Sequence, residues 1–102
     1  MSAVPLPPTK PAASGVTSDS VTLTWTSGNT KPVQSYIIQY KCQKSVQYTY
    51  IYGVTTTQYT ISSLKANNAY EFRIVAVNNA GQSLPSALLL VATSKGRLIT
   101  FA

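Results

Sequence analysis

The chain has 102 residues, 44% of them apolar and only 10% charged, which is enough for one domain with a single core and too apolar for a disordered chain. There is no histidine and one cysteine, Cys42. This excludes an imidazole triad or metal ligand, a disulfide framework within the chain and a cysteine-based zinc site, so no cofactor or metal is expected. Six Lys and two Arg against Asp19 and Glu71 give a formal charge of +6, but the cations at Lys10, Lys31, Lys41, Lys44, Lys65, Arg73, Lys95 and Arg97 form no basic run. A nucleic-acid partner is therefore not expected, and the charges read as solvated single groups.

The first stretch, MSAVPLPPTKP, lacks the charged-then-apolar pattern of an export signal. With four prolines between Val4 and Pro11, it is expected to be an extended lead-in or interdomain linker over residues 1–10. Beyond it, apolar and polar residues alternate with a period of two between turn signals, which predicts short antiparallel strands.

Ser20 to Trp25 puts Val21, Leu23 and Trp25 on one face, and Ser27 to Pro32 has the chemistry of a loop. Gln34 to Lys41 sets Tyr36, Ile38 and Tyr40 against Ile37, Gln39 and Lys41. The hexapeptide QYTYIY follows, with Tyr48, Tyr50 and Tyr52 on alternate positions and hence on one side of an extended chain. Gln58 to Leu64 alternates Tyr59 and Ile61, Tyr70 to Val77 opposes Tyr70, Phe72, Ile74 and Ala76 to Glu71, Arg73, Val75 and Val77, and Ala87 to Thr93 is a last strand. No segment carries a sustained helical stripe, and no apolar run reaches the roughly 20 residues of a membrane-spanning helix. About seven short strands in a hundred residues predict an all-β, seven-stranded antiparallel sandwich of the immunoglobulin-like kind.

The proline-rich entry, Trp25 closing its strand, YIIQY at residues 36–40 and the block LKANNAYEFRIVAVNNAG together resemble a fibronectin type III domain. In that block Leu64 and Tyr70 have the spacing of a tyrosine corner, so the resemblance implies a structural role for Trp25, Leu64 and Tyr70. It spans roughly Pro8 to Thr93 and implies a domain over residues 11–93, with 94–102 a tail or the start of the next linker. Within the family, SGNTKPVQSYIIQYK and FRIVAVNNAGQSLPS most resemble ectodomain modules of the leukocyte common antigen-related receptor tyrosine phosphatases. The segment KCQKSVQYTYIYGV and the scarcity of acids depart from them.

The fold implied by this resemblance sorts the faces. Val21, Leu23, Trp25, Tyr36, Ile38, Tyr40, Ile51, Tyr59, Ile61, Leu64, Tyr70, Phe72, Ile74, Ala76, Leu89 and Val91 are expected between the sheets. With Ile51 inward, Tyr48, Tyr50 and Tyr52 turn outward beside Val77, Leu88 and Leu90. From this face Ile37, Gln39, Lys41, Tyr48, Tyr50, Tyr52, Arg73 and Val75 are the candidate contacts for a protein partner, since an apolar, aromatic face with Arg is the composition of a binding surface.

Asp19 and Glu71 lie on different strands, the glycines are isolated, and no base accompanies the serines, so an enzyme is not expected. No Arg-Gly-Asp tripeptide and no Asn-x-Ser/Thr acceptor occur. The resemblance implies a non-catalytic, extracellular adhesion or receptor module within a larger protein, with flanking domains and no membrane span in this chain. Two further readings are a heparin-type polyanion binder using Lys41, Lys44, Lys65 and Arg73, and an engineered binder on this scaffold, for which Tyr, Ser and Asn enrichment fits paratope chemistry.

Overall fold

The computed structural model of the chain describes residues 3–95. Eight strands run in the order β1 (Ala12–Val16), β2 (Val21–Thr24), β3 (Ser35–Cys42), β4 (Thr49–Val54), β5 (Gln58–Ile61), β6 (Ala69–Asn78), β7 (Gly81–Gln82) and β8 (Leu89–Ala92). They form a three-stranded sheet, β1-β2-β5, packed on a five-stranded sheet, β4-β3-β6, in which β7 and β8 both pair with β6. The expected antiparallel sandwich is present, and the segment running along β6 is split into β8, the expected last strand, and a two-residue β7 ahead of it.

The split has a chemical cause. Pro85 has no N–H to offer a ladder, and around it the serine hydroxyls take over from the backbone. Ser83 and Ser86 Oγ accept from the N–H groups of Ala76 and Ile74, each at 2.9 Å, while their own N–H groups donate to the carbonyls of the same two residues at 2.8 Å. The segment thus stays on β6 without forming a regular strand.

Alternation fills the core as the sequence requires. Val21, Leu23, Trp25, Tyr36, Ile38, Ile61, Leu64, Tyr70, Phe72, Ile74 and Ala76 are buried together, with Tyr40, Ile51, Leu89 and Val91 partly buried against them. Trp25 meets the edge of Tyr36 at 5.5 Å between centroids, and Phe72 lies between Tyr40 and Tyr70 at 6.0 and 6.3 Å. The tyrosine corner is closed: the Lys65 N–H donates to the Tyr70 hydroxyl at 2.9 Å.

Two core assignments differ from expectation. Tyr59 pairs with Leu23 but sits on edge strand β5 and is 36% exposed, because the rim of a sheet has a neighbour on one side only. Val54 is buried in the core although strict alternation from Ile51 would turn it outward. The pairing of β3 with β4 explains this: Ile38 opposes Ile51 and Tyr36 opposes Val54, so β4 carries one extra residue. Gly53, at φ +71°, absorbs that bulge, a conformation that costs a side-chain-bearing residue energy. The bulge sets Tyr52 and Gly53 together opposite Ile37, at the end of the tyrosine row, and Tyr52 stays exposed.

The proline-rich start is extended and lies along the body. Pro5 and Pro8 are buried, the Leu6 N–H donates to Asn29 Oδ1 at 2.9 Å, and Asn29 Nδ2 donates back to the Leu6 carbonyl at 3.0 Å. Asn78 Nδ2 donates to the Ala3 carbonyl at 3.0 Å. Gly28 makes the approach feasible, since a Cβ there would lie 2.2 Å from the Pro7 carbonyl oxygen. Gly28→Ala is therefore expected to push the lead-in off the body and cost about 1–3 kcal/mol. Thermal unfolding of the variant checks this, together with loss of slow amide exchange at Leu6; an unchanged melting temperature overturns it.

Of the expected tail, Arg97 and the other residues from 96 to 102 lie outside the described residues.

Candidate functional site

The outer face of the five-stranded sheet is built by the residues that alternate with the core. The pairings Ile37↔Val75, Gln39↔Arg73 and Lys41↔Glu71 set three outward rows across β3 and β6, and Gln39↔Tyr50 extends the second row onto β4. On the far side, Leu90 opposes Glu71 from β8. All the residues expected on this face are brought together, but they fall into three functional groups.

Ile37 and Val75 are a correction. They point outward, yet only 4% and 2% of their surfaces are exposed, so they cannot serve as direct contacts. The physical reason is position: they pair with each other on β3 and β6, the two inner strands of the sheet, so each has a neighbouring strand on both sides. They form the apolar floor of the face.

The second group is an ionic and aromatic cluster that is already satisfied internally. Lys41 Nζ lies 2.9 Å from Glu71 Oε1 and also donates to the Ser45 carbonyl at 2.9 Å. The Tyr48 hydroxyl donates to the same Glu71 oxygen at 3.1 Å. The Arg73 guanidinium stacks 4.3 Å from the centroid of the Tyr48 ring, Lys41 Nζ stands 5.7 Å from it, and Arg73 Nε donates to Gln39 Oε1. Tyr48 precedes β4 and is half-buried in this arrangement.

The electrostatics follow from the contacts. The hydrogen bond from Lys41, helped by that from Tyr48, holds the Glu71 carboxyl below its ordinary value, and burial, followed by the bond to Glu71, raises the Tyr48 phenol above 10.0. Glu71 is depressed in the fold, so its contribution is present above the ordinary carboxylate range and is lost as pH falls through the lowered value. Tyr48 is raised, so its contribution is complete below 10.0 and disappears as pH rises through the higher folded value. A plateau of melting temperature between those limits is expected, and Glu71→Gln should flatten the acid limb. An acid limb identical in that variant overturns the assignment.

The third group is exposed and uncommitted. Tyr50 and Tyr52 are 48% and 65% exposed, with ring centroids 6.0 Å apart and edge to face. Leu88 and Leu90 stand exposed on the other side of the sheet. Leu84, just before Pro85, and Val46, in the β3–β4 connection, are also exposed, and alternation could not identify either because both lie outside strands. Of the cations considered for polyanion binding, Lys41 and Arg73 have the internal partners described above. Lys44 and Lys65 line a hollow with Lys41, Cys42 and Asn68. Among the described residues no group of acidic, cysteine or histidine side chains could hold a metal ion.

Comparison with known proteins adds the lineage. The fibronectin type III domain family matches residues 6–91. The chain is 48% identical over 85 residues to Receptor-type tyrosine-protein phosphatase F of Danio rerio, covering 82% of this chain and 4% of that protein. It is 39% identical over 92 residues to Roundabout homolog 2 of Homo sapiens, covering 86% of this chain and 7% of that protein. The chain thus spans a small fraction of the length of these relatives. A crystal structure of titin domains superposes with a TM-score of 0.79 at 32% identity, covering 89% of this chain and 32% of that one.

Proposed function

We propose, from the premise that this chain belongs to the fibronectin type III family, that it is a non-catalytic adhesion or receptor module whose outer five-stranded face docks a protein partner. Its similarity to receptor-type tyrosine-protein phosphatases supports a position at the cell surface, outside the membrane, as one module of a longer chain. The module then has two tasks: to hold its neighbours in sequence apart and to present one face.

The observation that carries this reading is the pair Tyr50 and Tyr52, exposed side by side above a buried apolar floor of Ile37 and Val75. Tyrosine offers a large contact area with few rotors to immobilise, so it binds at small entropic cost. The internal cluster of Tyr48, Arg73, Lys41, Gln39 and Glu71 supports the reading in a different way. It fixes the shape of the face before a partner arrives, which lowers the cost of association.

The alternatives have less support. A polyanion would have to draw Lys41 and Arg73 away from Glu71, Tyr48 and Gln39, leaving Lys44 and Lys65, among the described residues, as the cations without such partners on this part of the surface. An engineered origin accounts poorly for a relative 48% identical over 82% of the chain.

The test is staining of cells by a tetramerised form of the domain. Loss of staining in the double variant Tyr50→Ser/Tyr52→Ser supports the docking face, provided that Thr22→Ala/Thr60→Ala on the opposite sheet stains normally. Staining that survives the tyrosine change overturns it. Staining abolished by moderate salt or soluble heparin, with the tyrosines immaterial, points to the polyanion instead.

A further inference from the structure

The edges of the two sheets are not equally protected. On the three-stranded sheet, β1 is broken by a register shift between Ala13 and Gly15, and β5 is short and carries Gln58 and Thr60 on its outward side. On the five-stranded sheet, β4 is bent by its bulge at Gly53. Bulges and polar residues of this kind are the usual means by which an open edge avoids pairing with another chain.

On the opposite edge, the stretch from Ala87 to Ala92 has none of them. From Ser86 to Thr93 the chain runs SALLLVAT along β6, held at its two ends by the bonds from Ser86 N–H to the Ile74 carbonyl and from Thr93 N–H to the Asn68 carbonyl. This stretch contains no charge and no proline. Among the described residues β8 pairs only with β6. In an antiparallel ladder, bonded residues alternate with residues whose backbone groups face the other way. Counting back from Thr93, the N–H and C=O groups of Leu90 and Ala92 therefore face the open side. The Leu90 side chain is 59% exposed, and Leu88 is 41% exposed.

We infer that this edge is an interface with a second copy of the chain, formed by antiparallel pairing of β8 with β8 across a two-fold axis at Leu90. An unpaired strand edge calls for another strand, and a strand paired antiparallel with itself is self-complementary: each Leu90 N–H meets the partner's Leu90 carbonyl. The two Leu90 side chains lie together on the outer face, and Leu88 meets the partner's Ala92.

Electrostatics favour a copy at this edge. The chain carries +6, so two copies repel wherever lysines face one another, and no charged residue occurs between Arg73 and Lys95 in the sequence. The five-stranded sheets of the two copies then join, and the tyrosine pairs end up on the outer flanks of one continuous face.

The experiment is sedimentation equilibrium of the purified chain from micromolar to millimolar concentration, with amide hydrogen exchange read at residues 88–92. The expected result is a reversible dimer in which exchange at Leu90 and Ala92 slows as concentration rises. Leu90→Lys should weaken it by about tenfold or more, because two like charges meet at the axis. Leu90 is outward and exposed, so that variant folds; its circular dichroism confirms this. Tyr50→Ser/Tyr52→Ser should leave the dimer unchanged, which separates this interface from the docking face. A chain that stays monomeric throughout, a dimer indifferent to Leu90→Lys, or one abolished by the tyrosine change overturns the inference. So does a monomer that takes an extended segment of a different protein at this edge.

Discussion

Trp25→Ala is expected to lower the free energy of unfolding by about 3–5 kcal/mol, the range for removing a buried large aromatic side chain. Trp25 is 4% exposed, directly follows the central strand of the smaller sheet and sets its ring against Tyr36 of the other sheet, so it joins the two layers. Small domains have only about 5–15 kcal/mol in total, so the variant should unfold at much lower urea concentration or fail to fold. A second substitution sharpens the test. Among the described residues the indole Nε1 is buried without a hydrogen-bond partner, so Trp25→Phe removes an unsatisfied donor along with some volume. It should cost clearly less than alanine. Urea titrations followed by circular dichroism decide the matter, and a loss below about 1 kcal/mol in Trp25→Ala would mean the ring does not join the sheets.

The second large effect concerns binding. Truncating exposed aromatic anchors at the centre of an interface commonly costs about 2 kcal/mol or more, which is roughly 30-fold in affinity. The double variant Tyr50→Ser/Tyr52→Ser should therefore lose partner affinity on that scale while its unfolding midpoint changes little, since neither ring belongs to the core. Glu71→Gln provides the contrast. It disturbs the cluster around Tyr48 and should alter the pH dependence of stability more than the affinity at neutral pH. A double variant that loses stability and binding in proportion would show that these tyrosines support the fold instead of contacting a partner.

Much of the architecture was legible in the residues. Val21, Leu23 and Trp25 alternate with Thr22 and Thr24, and Tyr70, Phe72, Ile74 and Ala76 alternate with polar or smaller outward partners, because side-chain direction along a strand is a local property of the backbone. The outward turn of Tyr50 and Tyr52 followed from the same parity. The internal partners of Tyr48 were not legible. Glu71 and Arg73 are more than twenty residues away in the sequence and meet its ring only through the pairing of β3 with both β4 and β6.

The period-two pattern and the turn residues were thus enough to point to a sandwich and to most of its inner face. Three features depended on the packed molecule. Val54 entered the core because Gly53 could adopt a left-handed backbone and shift the count by one. Ile37 and Val75 were closed off from solvent because burial depends on the neighbours across the sheet as well as on direction. Among the described residues the open edge at β8 arose because an edge is defined by which strands find no partner, and that is settled only when the strands have paired.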